Sequence, residues 1–356
     1  MSQKNETLPL LLSLIITIGL IFGGLWLLMG RWEKILNNQN SSNSIATKKE
    51  NQSQTVIKAN TANAPSNCDV TNIPQGIFSY GGSTTWATIR RDVDSVLQGI
   101  CPQFVLRYIQ PINEKPGSGT GIKMLIANQL DFSQSSRSIK EEENAKAQQK
   151  GFSLKEIPVA IDGIAIAVNH SLNIPGLTVA QLKGIYTGKI TNWKDLNGDN
   201  LPIVPLSRNK EAGGTVDFFV ENVLNKDEFG KNVNYPSTTT EALRKLAITP
   251  GGIYYGSAPE IVPQCTIKLL SLGNKSDQLI APYQQPYIPQ TECPAKRNQI
   301  NTQDFRSGNY PITRKLFVIV KQNGQSDQQA GEAYANWLLT PQGQELIEKA
   351  GFVRIK

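Results

Sequence analysis

A single histidine, His170, stands among the 356 residues, and the chain has no CxxC pair or Cys/His cluster. No set of nitrogen and sulfur ligands for a metal can be assembled from it. A Ser-His-Asp relay would have to recruit His170, which follows Asn169 at the end of an apolar run, and no G-x-S-x-G elbow accompanies it. The glycine run at 117–121 lacks the G-x-x-x-x-G-K-[ST] spacing of a P-loop. With no catalytic constellation, the chain reads as a protein that is not an enzyme and needs no cofactor. Charge imbalance is also slight: 36 Lys and Arg against 29 Asp and Glu give +7, scattered along the chain. Aromatics are only 7% and no basic stripe interleaves with them, which argues against nucleic acid as a partner. A mild positive field remains, suited to drawing in small anions.

Charge is missing altogether from Pro9 to Met29. As a helix this segment, taken as residues 8–29, is long enough to cross a bilayer, whose core is about 30 Å thick. An uncleaved transmembrane anchor is expected, the alternative being a cleaved secretory signal. No small-x-small site closes the run near Gly30, and no cysteine lies there to carry a lipid. Lys4 on one side and Arg31 and Lys34 on the other leave the orientation undetermined. Residues 30–71 follow as a disordered linker, for the stretch 37–67 is Asn-, Ser-, Gln- and Thr-rich and holds no aromatic. All four cysteines, Cys68, Cys101, Cys265 and Cys293, come after the anchor. An even count beyond a membrane segment fits two disulfides in an oxidising compartment. Proximity in sequence suggests Cys68–Cys101 and Cys265–Cys293, although three pairings are possible.

The length allows about two globular units. From Gly76 onward, strand-like apolar runs at 104–108, 157–161, 164–168 and 316–320 alternate with helical periodicity at 85–98, 121–129, 141–150, 179–186, 215–224 and 330–350. That alternation predicts an α/β fold with largely parallel sheets, in which ligands bind beyond the carboxyl ends of strands.

Three loops share one character. Arg208-Asn209-Lys210-Glu211-Ala212-Gly213-Gly214-Thr215 runs into a helix; Tyr80-Gly81-Gly82-Ser83-Thr84-Thr85 and Pro116-Gly117-Ser118-Gly119-Thr120-Gly121 do the same. Each sets hydroxyls and glycine-freed amides at the positive end of a helix, the seat for an oxyanion, and Arg208 adds a fork of donors. A fourth segment, Asp131-Phe132-Ser133-Gln134-Ser135-Ser136-Arg137, ends a strand in a polar turn that can add Ser136 or Arg137.

Between Gly76 and Val353 the chain resembles the phosphate-binding (PstS-type) subunits of bacterial ABC phosphate importers. The resemblance rests on Gly82-Ser83-Thr84, Gly117-Ser118-Gly119 with Lys123, Asp131-Phe132, Ile185-Tyr186-Thr187-Gly188-Lys189-Ile190-Thr191-Asn192-Trp193, Arg208 to Thr215, Thr249-Pro250-Gly251-Gly252-Ile253 and Tyr310-Pro311-Ile312. It implies the two-lobed type II periplasmic-binding-protein fold with a hinge, the lobes formed by residues 72–157 with 313–356 and by 158–312. It also implies a phosphate site made by Thr84, the amide of Thr85, Ser118, Arg208, Gly213, Gly214 and Thr215, to which the reading of the loops adds Ser83 and Ser136. The partners implied are inorganic phosphate and an importer permease. The expected protein is a monomer at the periplasmic or extracytoplasmic face of the membrane, held there by its N-terminal helix.

Two departures bear on the ligand. The family often has Asp where this chain has Ser136, and Ser-Gly-Thr where it has Gly213-Gly214-Thr215. Hydrogen phosphate donates a hydrogen bond that sulfate cannot, so a buried carboxylate selects between them. Asp162, charged within an apolar run, is a candidate for that acceptor, or else a hinge carboxylate bonded to backbone amides. The readings in competition are an importer's phosphate receptor, a membrane-tethered phosphate sensor or scavenger, and a receptor for another oxyanion such as sulfate.

Overall fold

The computed structural model describes Cys68, residues 73–209 and residues 213–355. The expected anchor at 8–29, nearly all of the linker at 30–71, and Lys210 to Ala212 lie outside the described residues. Among the described residues no helix is long and apolar enough to cross a membrane. The chain divides at Asn63, and the unit Ala64–Lys356 is the one described below.

Nine strands make a mixed sheet: β1 (Gly76–Gly82), β2 (Phe104–Tyr108), β3 (Phe132–Ser135), β4 (Ser153–Val168), β5 (Gly176–Thr178), β6 (Val204–Leu206), β7 (Gly252–Ser257), β8 (Lys268–Gly273) and β9 (Thr313–Gln322). The order is β2-β1-β3-β9-β4-β7-β6, with β8 beside β4 and β5 beside β8. The α/β character expected from the alternation is present, but the sheets are not largely parallel. Pairs β1–β2, β1–β3, β5–β8 and β6–β7 are parallel, whereas β3–β9, β4–β7, β4–β8 and β4–β9 are antiparallel. The cause is β4, a single 16-residue strand that serves both halves. Its first part pairs with β9 from Ser153↔Gln322 to Gly163↔Thr313, and its second with β7 from Ile164↔Ser257 to Val168↔Ile253.

Two strands had been expected there because Asp162-Gly163 looks like a turn. The polar pair sits mid-strand for specific reasons: Arg314, directly opposite on β9, neutralises Asp162, and a side chain at 163 would collide with the ring of Phe305. The helical pattern at 330–350 is likewise two helices, Ser326–Leu338 and Pro341–Lys349. Pro341 has no N–H to continue the first and opens the second, capped by the Thr340 hydroxyl, which accepts from Gly343 N at 3.0 Å.

The buried apolar side chains gather about this shared pair of strands. Val159 and Ala160 of β4 and Leu316 and Val318 of β9 pack with Trp86, Phe104, Phe132, Tyr334 and Trp337. Ile164 to Val168 of the same β4 pack instead with Tyr186, Trp193, Phe219, Tyr255 and Ile312. Trp86 and Trp193 are both fully buried. Cys68 joins Cys101 and Cys265 joins Cys293, the pairing suggested by proximity. The second closes a 28-residue separation. Replacing Cys265 and Cys293 together by serine is expected to cost about 2–4 kcal/mol through the loop entropy restored to the unfolded chain. A urea melt checks this; reducing the unaltered protein opens both disulfides and should cost more.

Candidate functional site

The first loop is clamped before it reaches the site. Gly82 closes β1 at φ +123°, and a Cβ there would strike the Gln134 carbonyl of β3. Ser83 N donates to that same carbonyl at 2.8 Å, Trp86 Nε1 donates to Ser135 O at 3.1 Å, and Arg90 Nη1 donates to Ser83 O at 3.0 Å. A one-turn helix, Thr84–Trp86, follows, with Ser83 Oγ accepting from Thr85 N at 3.3 Å. Behind it lies a buried network. Arg90 Nη1 also donates to Gln134 Oε1, Gln134 Nε2 to Tyr334 Oη, and Tyr334 and Tyr80 each donate to Asp94 at 2.7 Å. Burial pushes the Asp94 carboxyl up to about 6, though both tyrosine hydroxyls and Arg90 pull it back.

The second and third loops open longer helices, Ser118–Ile126 and Gly214–Asn222. Their N-caps are Gly117 and Gly213, so neither has a side-chain cap and the first backbone N–H groups are left without intrahelical partners. The two starts meet. A Cβ on Gly117 would lie 2.9 Å from Gly213 Cα, and one on Gly213 would lie 3.0 Å from Gly117 Cα. Gly213 also stands at φ +104°, a left-handed conformation that favours glycine. Around this junction are three buried hydroxyls. Ser83 Oγ donates to Ser136 Oγ at 2.9 Å, Ser118 and Ser136 Oγ lie 3.2 Å apart, and Ser136 N donates to Ser118 Oγ at 3.1 Å. A methyl on Gly214 would strike both Ser118 and Ser136 hydroxyls.

Thr85 and Thr215 place their Oγ1 atoms 3.3 Å apart, while Thr84 stands half-buried on the wall beside them. Between the threonines reaches Arg314, whose Nη2 donates to Thr215 Oγ1 at 2.8 Å and to Thr85 Oγ1 at 3.1 Å, and whose Nη1 donates to Gly214 O at 3.0 Å. A hydroxyl that accepts from a guanidinium keeps its own proton free for another acceptor. A small pocket adjoins this contact, lined among others by Thr84, Thr85, Arg208, Thr215, Tyr254 and Glu260. Arg208 follows β6, and its Nε is buried with no hydrogen-bond partner. The Ile185–Trp193 motif explains how Arg208 is held: Tyr186 Oη donates to Leu206 O at 3.1 Å and Trp193 Nε1 to Gly251 O at 3.0 Å. Next to Arg208, Ser207 Oγ donates to the Arg208 carbonyl at 2.9 Å and pairs with Tyr255 Oη at 2.7 Å.

The predicted residues thus form two adjoining groups: Ser83, Ser118, Ser136, Gly213 and Gly214 at the helix junction, and Thr84, Thr85, Arg208 and Thr215 at the pocket. Arg137 is turned away. Its guanidinium donates to both Glu143 oxygens, at 2.7 and 3.0 Å, to Ser138 O, and to Asp217 Oδ2 at 3.3 Å. Asp162 is also committed: Oδ2 accepts from Arg314 Nε and Nη2 at 3.0 and 2.8 Å, and Oδ1 from Ser257 Oγ at 2.8 Å. It is therefore the counter-ion of Arg314, with little acceptor capacity left for a ligand. Sequence reasoning missed Arg314 and Glu260. For Arg314 no linear signal existed, since only the β4–β9 register sets it opposite Asp162. His170 lies apart, bonded through Nε2 to Cys265 O at 3.1 Å.

A PBP superfamily domain matches residues 50–342. The phosphate-binding protein PstS of Staphylococcus haemolyticus is 31% identical over 241 residues, 67% of this chain and 69% of that one. That of Staphylococcus epidermidis is 28% identical over 291 residues, 77% of this chain and 83% of its own. The fold is shared with a crystal structure from Clostridium perfringens of a phosphate ABC transporter substrate-binding protein with bound phosphate, at TM-score 0.62 and 23% identity over 79% of this chain and all of that one. The chain belongs to the PBP superfamily and, within it, to the family of phosphate-binding proteins called PstS.

Gly214→Ala is expected to weaken anion binding about 10- to 100-fold, the equivalent of 1–3 kcal/mol of overpacking, in a calorimetric titration. Asp94 gives a second expectation. Its carboxyl, raised in the folded state, favours folding while protonated, so that contribution is present below about pH 4 and lost as pH rises through about 6. The loss is on the order of 3 kcal/mol. Asp94→Asn should flatten the stability profile across that window, measured by urea melts at several pH values.

Proposed function

We propose that the protein binds inorganic phosphate where these loops converge and presents the loaded, closed form to an ABC importer. The observation that carries this reading is the meeting of two helix N-termini without side-chain caps at Gly117 and Gly213, ringed by Ser83, Ser118 and Ser136. Their positive ends repel one another unless an anion lies between them. Arg208, with a buried and unpartnered Nε, supplies the charge, and Thr84, Thr85 and Thr215 complete the donor set. The relatives named above are phosphate-binding proteins, which supports the same ligand.

Residues 72–157 with 313–356 form one lobe in this reading and 158–312 the other, with the anion between them. The ion pairs Arg137–Asp217 at 3.3 Å and Lys140–Glu221 at 3.7 Å then stand at the rim and favour closure once the anion has bound. The protein acts as a monomer on the extracytoplasmic face, tethered by residues 8–29. A second reading, a receptor for sulfate or another oxyanion, draws on one observation: the position where the family often has Asp is the Ser136 hydroxyl, bonded to Ser83 and Ser118.

Titrating ligand-stripped protein with phosphate and then sulfate at neutral pH separates these readings. Phosphate is expected to bind at micromolar concentration or tighter and sulfate far more weakly; the reverse order would overturn the proposal. Arg208→Ala should cost about 2–5 kcal/mol of phosphate affinity, roughly 30-fold or more.

A further inference from the structure

We infer that Glu260 is the specificity-determining acceptor of this site, taking the proton of hydrogen phosphate in a hydrogen bond that sulfate cannot supply. The inference rests on the phosphate reading above and adds to it the residue that rejects sulfate. Glu260 lies on the short helix Ala258–Ile261 that follows β7, so the carboxyl end of a strand delivers it to the site. Among the described residues lining the pocket with Arg208, Thr84, Thr85 and Thr215, it is the one acid.

The other acceptors near the site are spent. Asp162 holds Arg314 and Ser257, and Ser136 holds Ser83 and Ser118. Among the described residues the Glu260 carboxylate has only a long contact, Thr239 Oγ1 donating to Oε2 at 3.5 Å. Arg208 and Arg314 act on it electrostatically, yet among the described residues no ion pair within 4.0 Å joins it to either. A carboxylate has about four lone-pair sites, so acceptor capacity faces the pocket opposite a guanidinium with donors to spare. That is the pairing a singly protonated oxyanion requires: ionised oxygens toward Arg208 and the helix amides, and the P–OH toward Glu260. Sulfate would set an oxygen lone pair against the carboxylate instead.

Burial and the neighbouring charge of Asp162 push the Glu260 carboxyl above the usual range, while Arg208 and Arg314 pull it back. A more basic carboxylate is a stronger acceptor, and it also loses its charge sooner as pH falls. The titratable and charged groups around it are Asp162, Arg208 and Arg314, with Tyr254, pushed up to about 12 by burial, and Tyr255 on the same wall.

The test is a pair of calorimetric titrations, phosphate and sulfate, on the full-length wild-type protein, Glu260→Gln and Glu260→Asp, at about pH 8 and about pH 5. The wild type should prefer phosphate by at least about 100-fold at the higher pH, in line with rejection by a buried polar group. In Glu260→Gln the preference should fall at least about tenfold, chiefly because sulfate binds more tightly, an outcome that mere loosening of the fold does not produce. Glu260→Asp, which keeps the charge, should retain most of the preference. The wild-type preference should narrow toward pH 5 while that of Glu260→Gln does not. A phosphate-to-sulfate ratio unchanged within about twofold in Glu260→Gln overturns the role of Glu260 and leaves the phosphate reading standing. If that variant does not fold, Glu260→Ala carries the same test, and a ratio unchanged within about twofold in it overturns the role equally. Absence of phosphate binding by the wild type overturns the phosphate reading and this role together.

Discussion

The meeting of two helix N-termini at Gly117 and Gly213 sets the terms for the rest of the structure. Each helix brings unpaired amides and roughly half a positive charge to the same place. Side-chain caps would have satisfied those amides, but both caps are glycines, and the two backbones touch where any side chain would keep them apart. An arrangement that costs free energy when empty and gains it when filled by an anion gives a ligand control over a conformation. The three serine hydroxyls then occupy one another, Ser83 to Ser136 to Ser118, and keep the donors oriented.

Opposing charge is managed a few residues away by the pairing of Asp162 and Arg314. Both side chains are almost fully buried, and removing either would strand the other without a counter-ion. The pair sits where β4 passes from one core to the other, between Ala160 and Ile164, with Arg314 opposite on β9. Arg314 spends its remaining donors on Thr85, Thr215 and the Gly214 carbonyl. Groups on either side of the junction are thereby tied to one guanidinium, so that movement at the crossing and hydroxyl geometry at the pocket are coupled.

Ser136 brings a hydroxyl and no charge to the junction, so the selectivity question moves to the other wall of the pocket. A hydroxyl both donates and accepts, and this one is satisfied by its neighbours. A receptor that still distinguishes a protonated from an unprotonated oxyanion must keep a carboxylate within reach, and Glu260 is the acid on the pocket wall. The same chemistry can thus be delivered from the end of a different strand.

Much of this was legible in linear order. A strand-like apolar run and a helical pattern marked Phe104–Tyr108 and Val179–Tyr186, because local burial and capping decide such elements; Thr178 and Gln181 close a capping box on their own. Glycine-hydroxyl loops before helices announced an oxyanion seat, because the amides, dipole and hydroxyls that hold an anion are all local to a helix start. What sequence order could not carry was any role that exists only across strands. Asp162 looked free because its partner Arg314 lies 152 residues away, and Asp162-Gly163 looked like a turn because the Phe305 ring and Arg314 that make it tolerable arrive from elsewhere. Arg137 looked available until Glu143 and Asp217 claimed it. Residue types and their local spacing determined that an anion would be bound; only the register of β4 against β9 and β7 decided which charges were already spent and which faced the pocket.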